Sequence, residues 1–328
     1  MLELNIELTK KEVSALNRAS KKSILDNFSI NNGCVIVFGE NMLYLDLGLP
    51  QGINGCYELI DDWGMIEISN QNKIKVNGFT LEKEVEEKPF GYNFGKEICS
   101  FFFDYDFGFM RVKDELRLAM TGIYIDTIGG AIATTDGHRL NKTFIDKNEK
   151  VKPFIIKGIL NKCHVSLFEA EDYNLRIIKE TVDRLSYVYY EIDERFPDYN
   201  NVIPTHFKGS LEINLTETIS FIKSIPKTVN KSTGRIRFKD HTIDIEDFDF
   251  KYKKESSSNV FVRDGEPCEF GLNKNLLLPI LEAYKKRGLS SVKLLCSEPN
   301  KAMLMKIGDL MNPEEISLIM PVMLNNYI

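Results

Sequence analysis

The feature that most constrains the fold of this chain is an order of predicted elements that recurs three times. Each round has a helix, then strands, then a second helix and further strands, at a period of about 110 residues. The length of 328 residues exceeds what one ordinary hydrophobic core supports, so several domains are expected. The sequence therefore predicts an α+β protein of three repeated helix-sheet-helix-sheet domains, covering residues 1–89, 90–208 and 209–328, the first being the shortest.

Local signals predict the helices of these repeats. Thr9 followed three residues later by Glu12 is a capping box, which predicts a helix over residues 10–20. Asn273 and Gly288 are typical of the start and the end of a helix between them. Further predicted elements are helices over 57–63, 95–105 and 153–160, a helix capped by Thr216, and a strand over 115–125.

Composition indicates a water-soluble globular protein. The chain has 43% hydrophobic and 27% charged residues, and it has no apolar run near the ~20 residues of a membrane-spanning helix. A cytoplasmic protein without membrane contact is therefore expected. The six cysteines are scattered without a Cys-x-x-Cys pair, so neither a zinc site nor a disulfide framework is predicted. No cofactor-binding motif is found, and no cofactor is expected.

Charge is distributed unevenly along the chain, although the net charge is only −6. Basic residues cluster at 10–22, 219–235 and 285–287, and acidic residues cluster at 82–87 and 244–249. Simple solvation explains a single surface lysine as well as a ligand does. Clusters on predicted helices favour contacts with the phosphates of duplex DNA, made without reading its bases.

The most informative stretch is Thr135-Asp136-Gly137-His138-Arg139-Leu140. An Asp-Gly pair between extended runs predicts a β-hairpin, because both residues tolerate positive φ. Taken alone, this hairpin predicts only a surface corner. Two further motif segments follow it along the chain, namely Arg195-Phe196-Pro197-Asp198-Tyr199, with Val202 and Pro204 behind it, and Ile319-Met320-Pro321-Val322-Met323-Leu324.

Together these three segments resemble the signature of the bacterial DNA polymerase III beta sliding clamp family. The resemblance implies a ring of six similar domains, made by two chains in head-to-tail contact, with helices lining the hole and sheets outside. It implies a homodimeric processivity factor that encircles double-stranded DNA and tethers the replicative polymerase and other peptide-motif partners. It also implies a bacterial cytoplasmic location and an ATP-driven clamp loader, and the short first domain suits a phage- or plasmid-type member.

The resemblance also implies which basic residues face DNA. They lie on predicted helices or beside them and are Lys10, Lys11, Arg18, Lys21, Lys22, Arg117, Lys227, Lys231, Lys285 and Lys286. Leu118 and Ala119 follow Arg117 where the family often has paired tyrosines, so one family contact is not expected here.

A hydrophobic pocket for short linear peptides of the polymerase and the clamp loader is implied where the three segments meet. Flexible thioethers and aliphatic side chains suit varied apolar anchors, and His138, Arg139 and Asn273 are expected to bind the peptide's polar groups. The implied lining is Met120, Thr135, Gly137, His138, Arg139, Leu140, Pro197, Asn201, Val202, Asn273, Leu276, Met320, Pro321, Val322, Met323 and Leu324. Asn201 and Met323 stand where many relatives carry basic residues, so a different peptide preference is expected.

Two alternatives remain open on the sequence. A clamp-fold regulator or decoy would bind peptides without encircling DNA, and the short first domain and the missing tyrosines favour it. A metal-dependent nuclease would use Asp104 and Asp106 as ligands, although aspartates at this spacing are more often solvated. No nucleophile-elbow, Walker or zinc-protease motif is found, so a protein without enzymatic activity is predicted.

Overall fold

The structure is a computed structural model, and it describes residues 4–68, 73–84, 87–113, 115–170, 176–226, 235–239, 242–247, 252–256, 261–265, 270–308 and 313–322. The chain divides into two compact units. The first combines Met1–Tyr105 with Gly158–Glu191, and the second combines Asp106–Lys157 with Ile192–Ile328. None of the helices in the described ranges has the length and apolar character needed to cross a membrane.

The first repeat lies in the first unit. Its helix α1 covers Lys10–Ser20, and a short 3-10 turn covers Gln51–Ile53. Its strands are β1 (Leu4–Ile6), β2 (Asn27–Asn31), β3 (Cys34–Val37), β4 (Met42–Asp46), β5 (Gly55–Glu58), β6 (Ile66–Ile68), β7 (Lys73–Val76) and β8 (Phe79–Glu82). Residues 59–65, between β5 and β6, form a loop.

The second repeat is divided between the two units. Its strands are β9 (Glu97–Asp104), β10 (Ile123–Asp126), β11 (Ala131–Thr135), β12 (Arg139–Phe144), β13 (Phe154–Ile156), β14 (Lys162–Glu169), β15 (Arg176–Val182) and β16 (Leu185–Tyr190). Strands β9 and β14 to β16 belong to the first unit, and β10 to β13 belong to the second. Its described helical residues are a 3-10 turn at Glu115–Arg117 and the one-turn helix α2 (Leu118–Thr121).

The third repeat lies in the second unit and follows a 3-10 turn at Tyr199–Val202. Its helices are α3 (Leu215–Lys223) and α4 (Lys274–Lys286). Its strands are β17 (Gly209–Asn214), β18 (Arg235–Lys239), β19 (Thr242–Asp247), β20 (Tyr252–Glu255), β21 (Phe261–Gly265), β22 (Phe270–Asn273), β23 (Ser291–Cys296), β24 (Met303–Gly308) and β25 (Pro313–Ile319).

The order of strands within the sheets repeats three times. One antiparallel four-strand order is β1-β6-β7-β8, which recurs as β9-β14-β15-β16 and as β17-β23-β24-β25. The other is β5-β2-β3-β4, which recurs as β13-β10-β11-β12 and as β22-β18-β19-β20. Strand β21 pairs with the outer edge of β17 and is an addition to this order. The predicted threefold repeat is therefore confirmed in the strand order, whereas the residue boundaries of the three domains stay a prediction.

Successive repeats join edge to edge through the last strand of each four-strand order. In the first unit, β4 pairs with β16 and completes an eight-stranded sheet, with Leu45 opposite Leu185. In the second unit, β12 pairs with β25 within a nine-stranded sheet, with Leu140 opposite Leu318. We call these pairings the first joint and the second joint. Each removes two strand edges that would otherwise invite aggregation.

Both faces of the eight-stranded sheet are covered. On one face, Leu16 of α1 belongs to a buried cluster that includes Leu43 of β4. Residues 90–94, which we call the aromatic strap, lie on the other face. The ring of Phe94 lies 5.9 Å from that of Tyr44, and the Tyr92 N–H donates to the Tyr44 hydroxyl at 2.5 Å. The alternation of side chains along β4 therefore supplies both cores.

The sheet of the second unit is covered in a comparable way. Leu140 and Leu318 of the second joint are buried in one cluster with Phe196 and Tyr199, which follow the second repeat. On the opposite face, Tyr284 of α4 is fully buried. This arrangement places the Phe-Pro motif on one side of β12 and α4 on the other.

The capping signals in the sequence are confirmed at α1 and α4. Thr9 and Glu12 form the predicted capping box of α1. Asn273 caps α4, and Gly288 follows its end with a φ of +88°. The predicted cap of α3 is wrong, because the Asn214 side chain accepts the hydrogen bond from the Glu217 N–H at 3.1 Å, two residues before Thr216.

Three predicted helices are absent. Residues 57–63 contain the end of β5, residues 95–105 contain β9, and residues 153–160 contain β13 and a loop. Short apolar runs do not separate helix from strand by periodicity, and β-branched and aromatic residues in these runs favour strands. The strand predicted over residues 115–125 is also wrong in its first part, which is helical up to Thr121.

A buried carboxylate holds the loop that follows β13. Glu180 of β15 is fully buried and accepts a hydrogen bond from the Leu160 N–H at 2.7 Å. The Tyr189 hydroxyl donates to the same side chain. Burial raises the pKa of Glu180, although these bonds and others from the backbone of residues 158–160 oppose the rise. The loop therefore obtains its backbone partners from a side chain rather than from a helix.

Candidate functional site

The predicted Asp-Gly hairpin forms the turn between β11 and β12. Gly137 has a φ of +85°, which residues with a Cβ adopt only with strain. The Asp136 carboxylate accepts hydrogen bonds from the N–H groups of His138 at 2.9 Å and Arg139 at 2.7 Å. Thr135 Oγ1 accepts a further bond from the Gly137 N–H at 3.1 Å. The turn is therefore fixed internally and leaves the His138 side chain exposed.

Arg139 is buried, with 8% of its surface exposed. Its guanidinium forms an ion pair with Asp136 at 2.7 Å and donates to the carbonyl oxygen of Leu276 at 3.1 Å. Its charged carbon lies 5.4 Å from the centre of the Phe109 ring. The side chain that the resemblance assigns to a peptide ligand therefore ties the hairpin to α4.

The residues after β25 lie beside the hairpin. The Met320 N–H donates to the His138 carbonyl at 2.8 Å, and the Val322 N–H donates to the Gly271 carbonyl at 2.9 Å. Met320 is 37% exposed and Val322 is half-buried. The third motif segment therefore connects the hairpin with β22, the strand that leads into α4.

The hairpin and the residues after β25 form one wall of a surface groove. The start of α4 forms a second wall. The Asn273 side chain accepts a hydrogen bond from the Asn275 N–H at 2.9 Å. Leu276, in the first turn, is half-buried, and its carbonyl oxygen is the acceptor for Arg139. Asn273 is therefore occupied as a helix cap, and Leu276 is the apolar residue that this wall offers.

The Phe-Pro segment forms a third wall. The Phe196 ring stacks on Tyr124 with 4.7 Å between their centres, and the Tyr199 hydroxyl donates to Asp126 at 2.7 Å. Burial and the bond to Asp126 raise the pKa of Tyr199, so its hydroxyl keeps its proton. The turn at Tyr199–Val202 leaves Val202 with 52% of its surface exposed.

The segment before β10 supplies a fourth wall. A Cβ built on Gly137 would lie 3.5 Å from Arg117 Nη1 and 3.7 Å from Met120 Cε, so both side chains stand over the hairpin. The sequence predicts this position for Met120. The Arg117 guanidinium lies beside the hairpin, and the DNA-facing role that the sequence predicts for it stays a prediction.

Sequence reasoning missed the exposed apolar residues of this segment. Leu116 is 91% exposed, Leu118 is 46% exposed and Phe109 is 39% exposed. Large apolar side chains grouped at the surface mark binding sites. The available signal was Leu116 and Leu118 on either side of an arginine, in a stretch interpreted as a strand.

We call the surface bounded by these four walls the hairpin groove. The predicted residues around its hairpin, its helix start and its C-terminal segment are Met120, Thr135, Gly137, His138, Arg139, Asn273, Leu276, Met320, Pro321 and Val322. The predicted residues of the Phe-Pro segment are Pro197, Asn201 and Val202, and all three are exposed. Leu140 is a core residue at 2% exposure, and Met323 and Leu324 lie outside the described residues. Apolar walls with few free polar groups suit a peptide ligand.

A second candidate surface is the exposed side of α1. Lys10, Lys11 and Arg18 of α1 are exposed, and so are Lys21 and Lys22 in the turn that follows it. The acid of the helix, Glu12, is buried and receives hydrogen bonds from Arg184 at 2.9 and 2.8 Å. Burial by itself would raise the pKa of Glu12, and the bonds from Arg184 and Thr9 outweigh it and lower the pKa. The exposed side of α1 is therefore uniformly positive.

The other predicted DNA-facing residues form a weaker cluster. Lys285 and Lys286 are exposed at the end of α4, and Lys286 lies 3.3 Å from Asp106. Lys223 of α3 pairs with Glu282 of α4 at 2.7 Å. The predicted residues Lys227 and Lys231 lie outside the described residues.

The aspartates of the nuclease alternative are both bound to lysines. Asp104 lies 2.8 Å from Lys162, and Asp106 contacts Lys286. Across the described ranges, no group of three or more His, Cys, Asp or Glu side chains is arranged to hold a metal ion.

Three repeats of paired four-stranded sheets, joined edge to edge and bearing a groove at the second joint, define a clamp-fold protein. The solved structure of a DnaN sliding clamp (DNA polymerase III subunit beta) from Bartonella birtlesii matches 99% of this chain and 100% of its own length. The TM-score is 0.71 and the identity is 17%, so this likeness shows the fold.

Comparison of sequences also finds bacterial beta sliding clamps. Beta sliding clamps of Haemophilus influenzae and Rickettsia bellii are both 26% identical to this chain, over 195 and 239 residues. These segments cover 54% and 64% of this chain and only 52% and 60% of the two relatives. No family model matches the chain. Over these segments the chain is similar to bacterial beta sliding clamps, in agreement with the resemblance of its three motif segments.

Proposed function

We propose that this chain is a DNA sliding clamp. Two copies close head to tail into a ring around duplex DNA, and the hairpin groove tethers the replicative polymerase and other proteins that carry a short peptide motif. The protein makes and breaks no bond, and it acts in the bacterial cytoplasm with an ATP-driven loader. The three repeats are its domains, with boundaries near residues 89 and 208. The observation that carries the proposal is a pair of strand edges left open by the repeat.

Those two edges belong to β8 and β20. In each joint the last strand of one order pairs antiparallel with the last strand of the other, β4 with β16 and β12 with β25. Strands β8 and β20 hold the same places in their sheets, and among the described residues no strand covers their outer edges. The joint rule therefore predicts that β8 of one copy pairs with β20 of another. Such head-to-tail contacts close into a ring when the rotation allows it.

Charge supports this pairing. Strand β8 ends at the acidic residue Glu82, whereas β20 has a two-lysine sequence that includes Lys254 and is followed by its last residue, Glu255. Opposite charges on neighbouring strands stabilise a pairing, and like charges oppose it. Pairing of β20 with its own copy would bring lysines together. The mixed contact is favoured, and it is the one that propagates head to tail.

A cavity beside β8 supports the same contact. It has a volume of about 440 Å³ and is lined by Phe79, Leu59, Ile60, Asp61 and residues of the end of α1. Phe79 is 57% exposed. Apolar side chains left open beside an unpaired edge are typical of an interface.

The hole of such a ring is expected to contact DNA through the three basic residues of α1 and through Lys21 and Lys22 in the turn that follows it. Each phosphate neutralised by a lysine or arginine contributes about −0.9 to the slope of log affinity against log salt. A few exposed side chains without base-reading geometry permit sliding. A peptide held in the hairpin groove then stays at a high effective concentration near the DNA, which raises processivity.

Cross-linking across the predicted interface tests the ring. In a Thr80→Cys, Lys254→Cys double variant, a short bismaleimide is expected to join the two copies at both interfaces. Rings closed in the presence of circular plasmid should remain on it in denaturing detergent and leave after the plasmid is cut. Each single variant is the matched control and should give no trapped DNA. A monomer in solution, or a closed ring that traps no plasmid, would refute the proposal.

A peptide-binding regulator that does not encircle DNA is the second candidate. One observation favours it: the second repeat has only the four-residue helix α2 within its described residues, so it offers little helical wall for a hole. Light scattering separates the two candidates, because a ring requires a stable dimer and a regulator does not. A dimer that binds duplex DNA with a salt slope lost on removal of the α1 lysines would exclude it.

A further inference from the structure

Lys142 is a basic residue on the core-facing side of β12. It lies opposite Ala133 and Ile316, and it points to the same face as Leu140, which is the face covered by the Phe-Pro segment. A charge on this face is costly unless it has partners. The side chain is half-buried, so its partners indicate why the lysine is there.

The partners of Lys142 belong to the Phe-Pro segment and to β12 itself. The ammonium nitrogen lies 5.0 Å from the centre of the Tyr199 ring and 4.8 Å from that of Phe144. It also donates to the side-chain oxygen of Asn200 at 3.1 Å. Two aromatic faces and an amide oxygen form a cage for a cation. Two members of this cage belong to the turn Tyr199–Val202, which carries one wall of the groove.

The charged and titratable groups around this cage are few. Burial lowers the pKa of Lys142, and the nearby Asp126 of β10 opposes the effect. Asp126 is also the acceptor for the Tyr199 hydroxyl, and Asp198 precedes the turn. Tyr124 of β10 packs against Tyr199, with 6.2 Å between ring centres. The turn is therefore attached to the sheet at two points, Asp126 on β10 and Lys142 on β12.

We propose that Lys142 is a positioning residue of the hairpin groove. By holding Tyr199 and Asn200 it fixes the height of the turn above the sheet, and with it the place of Val202 in the groove. Lys142 touches no peptide and acts through the turn. This inference rests on the proposed function, because it assumes that the groove binds a peptide.

The test compares Lys142→Met, which keeps the length of the side chain, with Lys142→Arg, which keeps the cation. The probe is a peptide selected against the wild-type protein from a random dodecamer library. Lys142→Met is expected to weaken its binding about tenfold, and Lys142→Arg is expected to remain within about threefold. Lys150→Met, in an exposed loop of the second unit, is the matched control and should change nothing.

Two readouts distinguish positioning from a general loss of stability. Amides of residues 199–203 should exchange with deuterium faster in Lys142→Met, while those of β12 and β25 keep their protection. Peptide affinity of the wild type should fall at alkaline pH before an ordinary lysine loses its proton, and Lys142→Arg should keep its affinity there. Unchanged binding by Lys142→Met, or identical pH profiles for wild type and Lys142→Arg, would overturn the inference.

The exchange measurement also separates the two proposals. If a Val202→Asp substitution weakens the binding of none of the selected peptides, then the groove is not the peptide site and the proposed function fails. Faster exchange at residues 199–203 in Lys142→Met would still establish the attachment of the turn. If peptides bind at the groove and exchange there is unchanged, only the role of Lys142 is refuted.

Discussion

The first and second joints have the same strand pairing but different chemistry beneath it. In the first joint, Leu45 and Leu185 face each other within an apolar cluster. In the second joint, Asn141 faces Ser317 beneath α4, and the Asn141 side chain donates to the Ser317 hydroxyl at 2.9 Å. An apolar joint tolerates small shifts, whereas a buried polar joint requires each partner in place. The polar chemistry lies under the groove, where the position of α4 has to be fixed.

The two joints also differ in how completely their faces opposite the helices are covered. The aromatic strap lies over the first joint, where the Tyr92 ring is 5.2 Å from Tyr190 and the Phe90 ring is 6.3 Å from Phe38. Beside the second joint, the Phe-Pro segment leaves Val202 and the residues after β25 partly exposed. Similar segments therefore cover the first joint and leave the second joint partly exposed.

Each joint also has one buried glutamate paired with an arginine. Glu12 of α1 binds Arg184 and has a lowered pKa. Glu315 of β25 is 2% exposed and lies 2.6 Å from Arg287. Burial raises the pKa of Glu315, and the Arg287 charge only partly opposes the rise. The two ion pairs are therefore expected to respond to pH in opposite directions.

Loss of Arg139, the buried arginine of the hairpin at the second joint, should have the largest effect on stability. Arg139→Met leaves Asp136 and the Leu276 carbonyl without their partner, so the second unit should lose roughly 3–5 kcal/mol of unfolding free energy. Arg184→Met at the first joint removes a side chain that is 41% exposed, and it should cost only about 1 kcal/mol. Urea unfolding measures both, and equal losses would contradict the comparison.

Replacing the two glutamates should give effects of intermediate size and opposite pH dependence. With a lowered pKa, Glu12 stabilises the fold above its ordinary pKa of 4.5 and loses this contribution as the pH falls. Glu12→Gln should therefore cost about 1.5–3 kcal/mol at pH 7 and less at acid pH.

Glu315 has a raised pKa, so its contribution is greatest when the pH is below its unfolded pKa and is lost as the pH rises through its folded pKa. Glu315→Gln should be neutral or stabilising by about 1 kcal/mol at pH 8. Thermal unfolding of both variants from pH 3 to pH 8 checks the signs, because the Glu12 contribution changes only below pH 4.5. Parallel pH slopes for the two variants would show that the joints do not differ electrostatically.

The smallest effect is expected at the hairpin turn. Gly137→Ala should cost about 1 kcal/mol, because its φ of +85° is strained for alanine. The nearest atoms to the added Cβ are 3.5 and 3.7 Å away, so no clash is expected and peptide affinity should change less than about twofold. Gly39, in the turn at the first joint, has an ordinary φ. A loss above 3 kcal/mol, measured by urea unfolding, would mean that the turn cannot relax.

Local signals in the sequence predicted what local chemistry determines. The capping box at Thr9, the cap at Asn273 and the Asp-Gly hairpin all depend on residues within a few positions of one another. The sequence also predicted which motif segments surround the groove, because the resemblance carried their order along the chain.

Long-range contacts explain the failures. The run of residues 97–104 is a strand because it pairs with β14, and no periodicity in its own sequence reveals that partner. Arg117 lies beside Gly137 of the hairpin, a contact that its charge alone does not indicate. The roles of Arg139 and Lys142 follow from Leu276 and Asn200, which are distant in sequence. These contacts become visible only when the sheets are assembled.

The loop anchored by Glu180 shows how buried backbone amides obtain acceptors where no helix forms. Helical amides find acceptors along their own turn, so removing the helix would strand them in the interior. One acidic side chain, drawn from a neighbouring strand, receives them instead. The backbone amides of this loop therefore depend on one side chain. A substitution of Glu180 would leave several of them without an acceptor at once, whereas a helix distributes its acceptors over many residues.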